Sequence, residues 1–341
     1  MKKHLPKTLL SFIISGIFLY LAFRNIELPV LWLSLKQASW LLILISAANA
    51  LFSIWLRAVR WRILLAPLKR IALKSVFSCT MIGFMANNLL PAHAGEVIKP
   101  YVLGKKENIS GMAALATVLI ERLLDSVSLI ALLLLVLEMV PVEPVYQHTG
   151  MIIGVGSLGL IALLISLASS EGKTRSWLFR FVEWLPQKVQ ILVRVRLETF
   201  LKGLTVFNDW HKLLPLIAIS LFTWAHMAAT IYIILQWYPY TAVPPESNLA
   251  VASVVVLVFM AFAIALPAAP GYFGTTQVVF IFALSYFGIN EVDAVGASLI
   301  YNFTQYIPIT FGGIVYLFKE GYTFGQIRSA SQGAKGVERS A

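Results

Sequence analysis

The chain has 341 residues, of which 59% are hydrophobic and only 13% are charged, whereas a soluble domain carries about a quarter charged residues. This composition excludes a soluble globular protein, and the single cysteine, Cys79, excludes intrachain disulfides and a thiolate metal cluster. The formal net charge of +11 does not indicate nucleic-acid binding, because the basic residues lie in loops between apolar segments.

Six apolar segments predict helices that cross a bilayer, which takes about 20 residues. In chain order they are 8–23, 40–56, 111–137, 149–169, 213–235 and 294–318. Two further apolar stretches, 75–97 and 248–287, are each interrupted by a Leu-Pro pair. Because lysines precede the first segment and no small-residue cleavage site follows it, we interpret it as an uncleaved signal anchor.

The positions of Lys and Arg predict the topology. We assume that the N-terminus is cytoplasmic and that both interrupted stretches leave the bilayer on the side they entered. The cytoplasmic segments are then 1–7, 57–74, 98–110, 170–212 and 319–341. They hold every basic residue except Arg24, Lys36 and Arg122. This bias follows the positive-inside rule, so we expect an inner (cytoplasmic) membrane protein with both termini in the cytoplasm.

Length indicates that the first interrupted stretch is a re-entrant hairpin. Its return arm, from about 92 to 103, covers about 18 Å of the ~30 Å hydrocarbon core. The second stretch is either re-entrant or two full spans, since 248–266 is long enough to cross alone. We favour a buried turn there, because residues 266–271 carry no charge that would hold them in the cytoplasm.

The two interrupted stretches resemble each other and enter from opposite sides. Residues 90–96 read LPAHAGE, residues 266–272 read LPAAPGY, and each stretch is followed by a span with a polar cluster. We therefore predict an all-α integral membrane protein with six transmembrane helices and two oppositely oriented re-entrant hairpins forming an inverted repeat, as in many secondary transporters. The chain is one polytopic domain, with half-repeats at about 40–137 and 213–318 and a basic cytoplasmic loop at 170–212.

Three charged residues, Glu121, Arg122 and Asp125, lie inside the span 111–137, where each charge costs at least ~2.5 kcal/mol. Helical spacing allows Arg122 to pair with Asp125, which leaves Glu121 to pair with Lys99 or to take a proton. Two readings of Arg122 with Lys99 are open. They bind a phosphate headgroup, for which the Arg fork is suited, or they form a structural salt bridge that locks the span to the first hairpin.

Polar residues also surround both breaks. Glu96 can take a proton or pair with Arg122, while His93 either titrates near neutral pH or makes a packing hydrogen bond. Asn87 and Asn88 are predicted to cap backbone groups freed at the first break. The polar residues of the second half either line a path or hydrogen-bond between helices. They are Tyr272, Thr275, Thr276, Gln277, Tyr301, Asn302 and Gln305.

Basic residues next to tryptophans suggest membrane-surface contacts. Arg57, Arg60 and Arg62, with Trp55 and Trp61, are interpreted as an interfacial anchor. The loop 170–212 is amphipathic in places and is interpreted as one or two cytoplasmic helices on the membrane surface.

Three motifs together resemble the lysylphosphatidylglycerol synthase transmembrane-domain (flippase-like) family, over essentially the whole chain. They are Asn88-Leu89-Leu90-Pro91 with Gly95-Glu96, Glu121-Arg122 with Asp125, and Pro270-Gly271-Tyr272 with Gly274. The resemblance implies a lipid translocase with its cavity between the two hairpins and with Glu96, Glu121, Arg122 and Asp125 as characteristic polar positions. Some members carry a carboxylate where Gln277 stands, which argues against a proton-coupled role for the outer half.

The bifunctional members also carry a soluble aminoacyl-transferase domain. Only about 23 residues follow the last predicted span, so we expect a stand-alone member without lysyltransferase activity. No nucleotide-binding loop of the Walker type is found in the sequence, which argues against direct drive by ATP.

The predicted function is movement of an anionic phospholipid or polyprenyl-type lipid across the inner membrane. Membrane lipids are the expected partners, and no nucleic acid, cofactor, metal or enzymatic step is expected. The candidate translocation residues are Asn88, Pro91, His93, Gly95, Glu96, Lys99, Glu121, Arg122, Asp125, Pro270, Gly271, Tyr272, Gly274, Gln277 and Asn302. Two alternatives stay open: an intramembrane enzyme acting on lipid phosphates, with His93 and Glu96 as acid and base, and an accessory subunit of a lipid- or glycolipid-synthesis enzyme.

Overall fold

The computed structural model describes residues 5–90, 93–139, 210–240, 247–264 and 270–326, together with Pro244 and short pieces between 155 and 198. Outside the described residues lie most of the predicted span 149–169, most of the loop 170–212, Pro91 and the turn residues 266–269. Every regular element in the described ranges is helical.

The helices follow the apolar segments of the sequence. They are α1 (Leu5–Phe23), α2 (Leu28–Gln37), α3 (Trp40–Leu65), α4 (Leu73–Leu89), α5 (Gly95–Glu107), α6 (Gly111–Met139), α7 (Trp210–Trp237), α8 (Leu249–Ile264), α9 (Thr275–Ser285) and α10 (Glu291–Lys319), with a 3-10 turn at Pro270–Tyr272 before α9. Within the described ranges, α3 and residues Leu213–Trp237 of α7 are each long and apolar enough to cross a membrane alone. The described part of the chain is thus helical throughout its regular elements, and it includes helices that can cross a membrane.

Two helices differ from the prediction. α3 continues to Leu65, past the expected end at 56, because residues 57–65 contain strong helix formers and neither Gly nor Pro. α2 lies in the segment 24–39, which was expected to be an outer loop, and Pro29 stands in its first turn, where proline is favoured. The axes of α1 and α2 meet at 89°. Together, residues Ser15–Phe23 of α1 and Leu28–Gln37 of α2 are long and apolar enough for one bent span.

Backbone contact holds the first broken segment together. α4 ends at Leu89, α5 begins at Gly95, and the two helices pack against each other. A Cβ atom at Gly95 would overlap the carbonyl oxygen of Gly83 and lie 2.6 Å from Oδ1 of Asn87. Only glycine therefore fits at this crossing, and the return helix lies directly on the helix that precedes it.

The two halves of the described chain interlock. α3–α6 share one apolar core around Trp61, Ile82 and Ile98, while α7–α10 share another around Ile231 and Phe280. α4 packs on α10, and α8 correspondingly packs on α6. The contact of α3 with α10 is likewise matched by that of α7 with α6, and α3 and α7 contact each other. Each half thus packs its broken segment against the long helix of the other half.

Candidate functional site

A cluster of charged side chains lies between α3, α5 and α6. Its members are Arg57 and Arg60 from α3, Lys99 from α5, and Glu121, Arg122 and Asp125 from α6, with Glu96 from the first turn of α5 at its edge. On each helix the spacing of three or four residues places the side chains on one face. We call this set the charge cluster.

Arg60 lies at the centre of the charge cluster and its side chain has no exposed surface. Its Nη1 donates to Oδ1 of Asp125 at 2.7 Å and to Oγ of Ser220 at 3.0 Å. Its Nη2 donates to Oε1 of Glu121 at 3.3 Å. A buried arginine is tolerated only when its charge is paired and hydrogen-bonded, and Arg60 satisfies both conditions while joining α3, α6 and α7.

Lys99 is one of the two partners that the sequence offered for Glu121, the other being a proton, and the structure shows the contact with Lys99. Its Nζ donates to Oε2 of Glu121 at 2.6 Å and lies 4.0 Å from the centre of the Trp61 ring. The indole Nε1 of Trp61 in turn donates to Oγ1 of Thr117 at 2.8 Å. Because a carboxylate and an aromatic face enclose the ammonium group, this geometry favours the structural reading of Lys99 over phosphate binding.

The interpretation of Arg57, Arg60 and Trp61 as an interfacial anchor is wrong. Arg60 and Trp61 are fully buried and Arg57 is 8% exposed, whereas Trp55 is 42% exposed. The reason is that α3 continues past its predicted end, so these residues face α5, α6 and α7. The sequence held no clear signal for this role, because Arg122 and Lys99 already matched Asp125 and Glu121 in number.

Arg122 forms the exposed edge of the charge cluster. Its Nη2 lies 3.2 Å from Oδ2 of Asp125, as predicted, and its Nη1 lies 3.7 Å from Oε1 of Glu96, which favours the pairing with Arg122 of the two readings of Glu96. The side chain of Arg122 is 41% exposed and that of Glu96 is 34% exposed, in contrast with the buried Glu121. Arg122 therefore combines a fixed position with an accessible guanidinium group.

The two broken segments meet next to this edge. The hydroxyl group of Tyr272 lies 3.2 Å from Nδ1 of His93, so the packing reading of His93 is supported. Both residues have the positive φ values that side chains rarely adopt, 50° for His93 and 57° for Tyr272. Such backbone persists only where the surroundings hold it, which marks this contact as a specific junction between the halves.

Side chains cap the freed backbone at both breaks. At the first, Oδ1 of Asn87 accepts from the Gly95 N–H at 2.7 Å, as predicted. Nδ2 of Asn88 donates to Oγ1 of Thr310 at 2.9 Å and thereby joins α4 to α10, while a cap by Asn88 stays a prediction. At the second, Oε1 of Gln277 accepts from the Gly274 N–H at 2.7 Å.

Hydrogen bonds also hold the turn of the second half. Oγ1 of Thr276 donates to Oδ1 of Asn302 at 3.1 Å, while Nδ2 of Asn302 lies 3.5 Å from the Gly271 carbonyl oxygen. Gly271 and Gly274 have φ values of 76° and 86°, which glycine adopts without strain. These contacts support the reading that the polar residues of this half bond between helices, and Pro270 opens the turn.

Comparisons with known proteins identify the family of this chain. The profile of the lysylphosphatidylglycerol synthase TM region matches residues 8–313. The UPF0104 membrane protein MJ1595 of Methanocaldococcus jannaschii is 24% identical over 327 residues, covering 92% of this chain and 95% of that protein. A UPF0104 membrane protein of Methanothermobacter thermautotrophicus is 24% identical over 299 residues, covering 82% and 86%. The chain belongs to the membrane-protein family of lysylphosphatidylglycerol synthase TM regions.

Proposed function

We propose that this membrane protein is a translocase, either flippase or scramblase, that moves a phospholipid or polyprenyl-type lipid with an anionic headgroup across the inner (cytoplasmic) membrane. The accessible guanidinium group of Arg122 carries the proposal. Arg122 lies 11 residues into the 29-residue helix α6, at about 17 Å along an axis of about 43 Å. A charge at that depth is costly to maintain, and an intramembrane charge is by default a candidate for function.

The surroundings of Arg122 suit an anionic headgroup. Arg122 contacts Glu96 on α5. His93 precedes Glu96 by three residues in the chain, and it contacts Tyr272 of the other half. A headgroup bound to Arg122 would therefore lie beside the junction of the two broken segments. Movement of one half against the other would then change the side of the membrane to which the headgroup is exposed, as alternating access requires.

The proposed membrane topology is the predicted one, with six spans, two re-entrant hairpins and both termini in the cytoplasm. Helix length supports the hairpins, because α4, α5, α8 and α9 have 17, 13, 16 and 11 residues. At 1.5 Å per residue each is shorter than the ~30 Å hydrocarbon core. The matched packing of α4 on α10 and α8 on α6 supports an inverted repeat.

Binding and movement are proposed in preference to catalysis. His93 is engaged by Tyr272 and Glu96 by Arg122, so the two groups suggested as acid and base are each held by another residue. The proposed partners are membrane lipids, and we propose no cofactor.

The test is lipid movement by the purified protein in vesicles. Fluorescent phosphatidylglycerol in the inner leaflet would be followed by its exposure to a membrane-impermeant quencher, for the wild type and for Arg122→Ala. We expect the variant to lose at least tenfold in rate, because a hydrogen bond to a charged group contributes about 1.5–3 kcal/mol. The matched control is Arg70→Ala, since Arg70 is exposed and lies outside the charge cluster.

An Arg122→Ala protein that folds and moves lipid at the wild-type rate would remove Arg122 from the mechanism. If vesicles that contain the wild-type protein showed no lipid movement, the result would argue for an accessory subunit of a lipid-synthesis enzyme, because such a subunit alone would transport nothing.

A further inference from the structure

The charge cluster has one more basic group than acidic groups among the described residues. Its basic side chains are Arg57, Arg60, Lys99 and Arg122, and its carboxylates are Glu96, Glu121 and Asp125. An uncompensated charge inside a membrane is unfavourable, so a negatively charged ligand would complete the cluster.

Arg57 is a buried basic group without an oxygen acceptor at hydrogen-bond distance in the described part of the chain. Its nearest carboxylate oxygen in the described part of the chain, Oδ2 of Asp125, lies 3.7 Å from Nη1, beyond hydrogen-bond distance. Its Nη2 donates to the sulfur of Met227 at 3.2 Å, and a thioether is a weak acceptor. The buried Arg60, by contrast, has oxygen acceptors from two carboxylates and a hydroxyl group.

Arg57 and Arg122 approach the same carboxylate group. Oδ2 of Asp125 is 3.7 Å from Nη1 of Arg57 and 3.2 Å from Nη2 of Arg122, so both guanidinium groups approach the same oxygen. Pairs of guanidinium groups bind phosphate oxygens through charge-assisted hydrogen bonds. The side chain of Arg57 is itself nine-tenths buried, so any anion that reaches it is largely removed from water.

We propose that Arg57 and Arg122 together bind a phosphate group with a single negative charge, and that this charge neutralises the cluster. The chemistry is that of a lipid phosphodiester or of free dihydrogen phosphate. The inference rests on the proposed function for the lipid as source, and it adds Arg57 as a binding residue.

Arg57 also lies where the two halves of the protein meet. Phe84 of α4 lies under its guanidinium group, with 5.4 Å between the guanidinium carbon and the ring centre, and Met227 belongs to α7. A phosphate group at Arg57 is therefore in contact range of both halves, while Arg122 is on the first half alone. A headgroup bound by Arg57 and Arg122 together therefore lies at the interface that must rearrange.

The test compares ligand binding with stability in the ligand-free protein. Purified wild type, Arg57→Gln, Arg57→Lys and the matched control Arg70→Gln would be unfolded thermally in uncharged detergent. Each would be measured alone, with phosphatidylglycerol and with inorganic phosphate. We expect phosphatidylglycerol to raise the unfolding temperature of wild type and Arg70→Gln by several degrees, with at least tenfold weaker apparent affinity in Arg57→Gln and intermediate affinity in Arg57→Lys.

The ligand-free measurement separates a binding role from a structural one. Arg57→Gln removes the surplus charge, so its unfolding temperature without ligand should equal or exceed that of wild type. A clear fall in ligand-free stability of both Arg57 variants would make Arg57 a structural counter-ion of Asp125 and overturn the proposal. Equal phosphatidylglycerol affinity in wild type and Arg57→Gln, or no binding of either probe by wild type, would also overturn it.

The two probes and the vesicle assay distinguish the remaining outcomes. A shift by inorganic phosphate as large as that by phosphatidylglycerol, and lost in Arg57→Gln, supports the site with free phosphate as ligand. Binding that depends on Arg57 in a protein that moves no lipid supports the site and refutes the translocase. Full lipid movement by Arg57→Gln refutes the site and leaves the translocase standing.

Discussion

Glu121 shows how one buried carboxylate organises three helices. Its two oxygens accept from Lys99 at 2.6 Å and from Arg60 at 3.3 Å, so α6 is bound to α5 and α3 through one side chain that is 1% exposed. Removing one partner of a buried ion pair leaves the others charged and desolvated, which costs about 3–5 kcal/mol. The stability of this region therefore depends on each of these charges being matched.

We accordingly predict that Glu121→Gln lowers the free energy of unfolding by about 3–5 kcal/mol, as measured by denaturation in mixed micelles. The control Glu107→Gln changes the same residue type at the half-exposed pair with Lys69, where an effect of about 0–1 kcal/mol is expected. Combining Glu121→Gln with Lys99→Met should cost less than the sum of the two single changes, because the orphaned ammonium group is removed. Simple additivity of the two changes would contradict the pairing.

At the residue scale, the sequence predicted pairings within reach of helical spacing and missed those that depend on packing between distant segments. Arg122 with Asp125 follows from positions three apart, and Glu121 with Lys99 from the need to neutralise a charge inside a span. Arg57 and Arg60 could not be placed in this way. Arginine beside tryptophan is typical of a membrane interface, and only the packing of α3 against α6 shows otherwise.

At the scale of the element, the contact between α4 and α5 is made of backbone. Gly83 and Gly95 face each other so closely that a Cβ at Gly95 meets a carbonyl oxygen, which no rotamer change can relieve. The hydrogen bond from the Gly95 N–H to Asn87 lies at the same place. The beginning of α5 therefore depends on glycine at positions 83 and 95, where no side chain separates the helices. The position of Glu96 follows from it.

We predict that Gly95→Ala destabilises the protein by about 1–3 kcal/mol or more, the usual effect of overpacking, and that it slows lipid movement by displacing Glu96. Gly111→Ala is the matched control, because the nearest atom to a Cβ at Gly111 is 4.0 Å away. The measurements are the midpoint of thermal unfolding and the vesicle assay. If the Gly95→Ala variant were as stable as Gly111→Ala, this result would show that α4 and α5 do not touch at this point.

Apolar runs and proline breaks predicted most helices to within a few residues, because a membrane core demands uninterrupted helical hydrogen bonding. These two signals failed for α2 and for the end of α3, where the chain is not an uninterrupted apolar run. α2 follows a sharp bend after α1, and with 10 residues it is too short to cross a membrane alone. The end of α3 was missed because basic residues were assumed to mark the membrane surface, whereas here they continue the helix into the charge cluster.

For the whole molecule, the two halves differ in chemistry although they match in packing. The similarity of 90–96 and 266–272 indicated a repeat, and the exchanged contacts of α4, α6, α8 and α10 agree with it. The sequence could not predict which groups join the halves. Those contacts include His93 with Tyr272 and Asn88 with Thr310, together with an ion pair of Lys106 and Glu320 that joins α5 to the residue after α10.

Under the proposed function, this asymmetry determines how lipid movement should respond to an electrical potential. α8, α9 and the interior of α10 contain no Asp, Glu, Lys or Arg, whereas the charge cluster belongs to the first half. Motion of the second half past a stationary first half therefore carries almost no gating charge. Any voltage dependence must then come from the cargo, at about 2.3 kcal/mol per elementary charge per 100 mV.

The test uses vesicles polarised with a potassium gradient and valinomycin. We predict that a lipid with one negative charge is driven toward the positive side, and that its ratio between the two leaflets shifts by up to about 50-fold per 100 mV. A net-neutral lipid should equilibrate at the same rate and ratio at every potential. Equal voltage sensitivity for both lipids would mean that the protein's own charges cross the field. Because α8, α9 and the interior of α10 carry no charge, the protein's own motion would be electrically silent, and the electrical work of each proposed cycle would be done on the lipid.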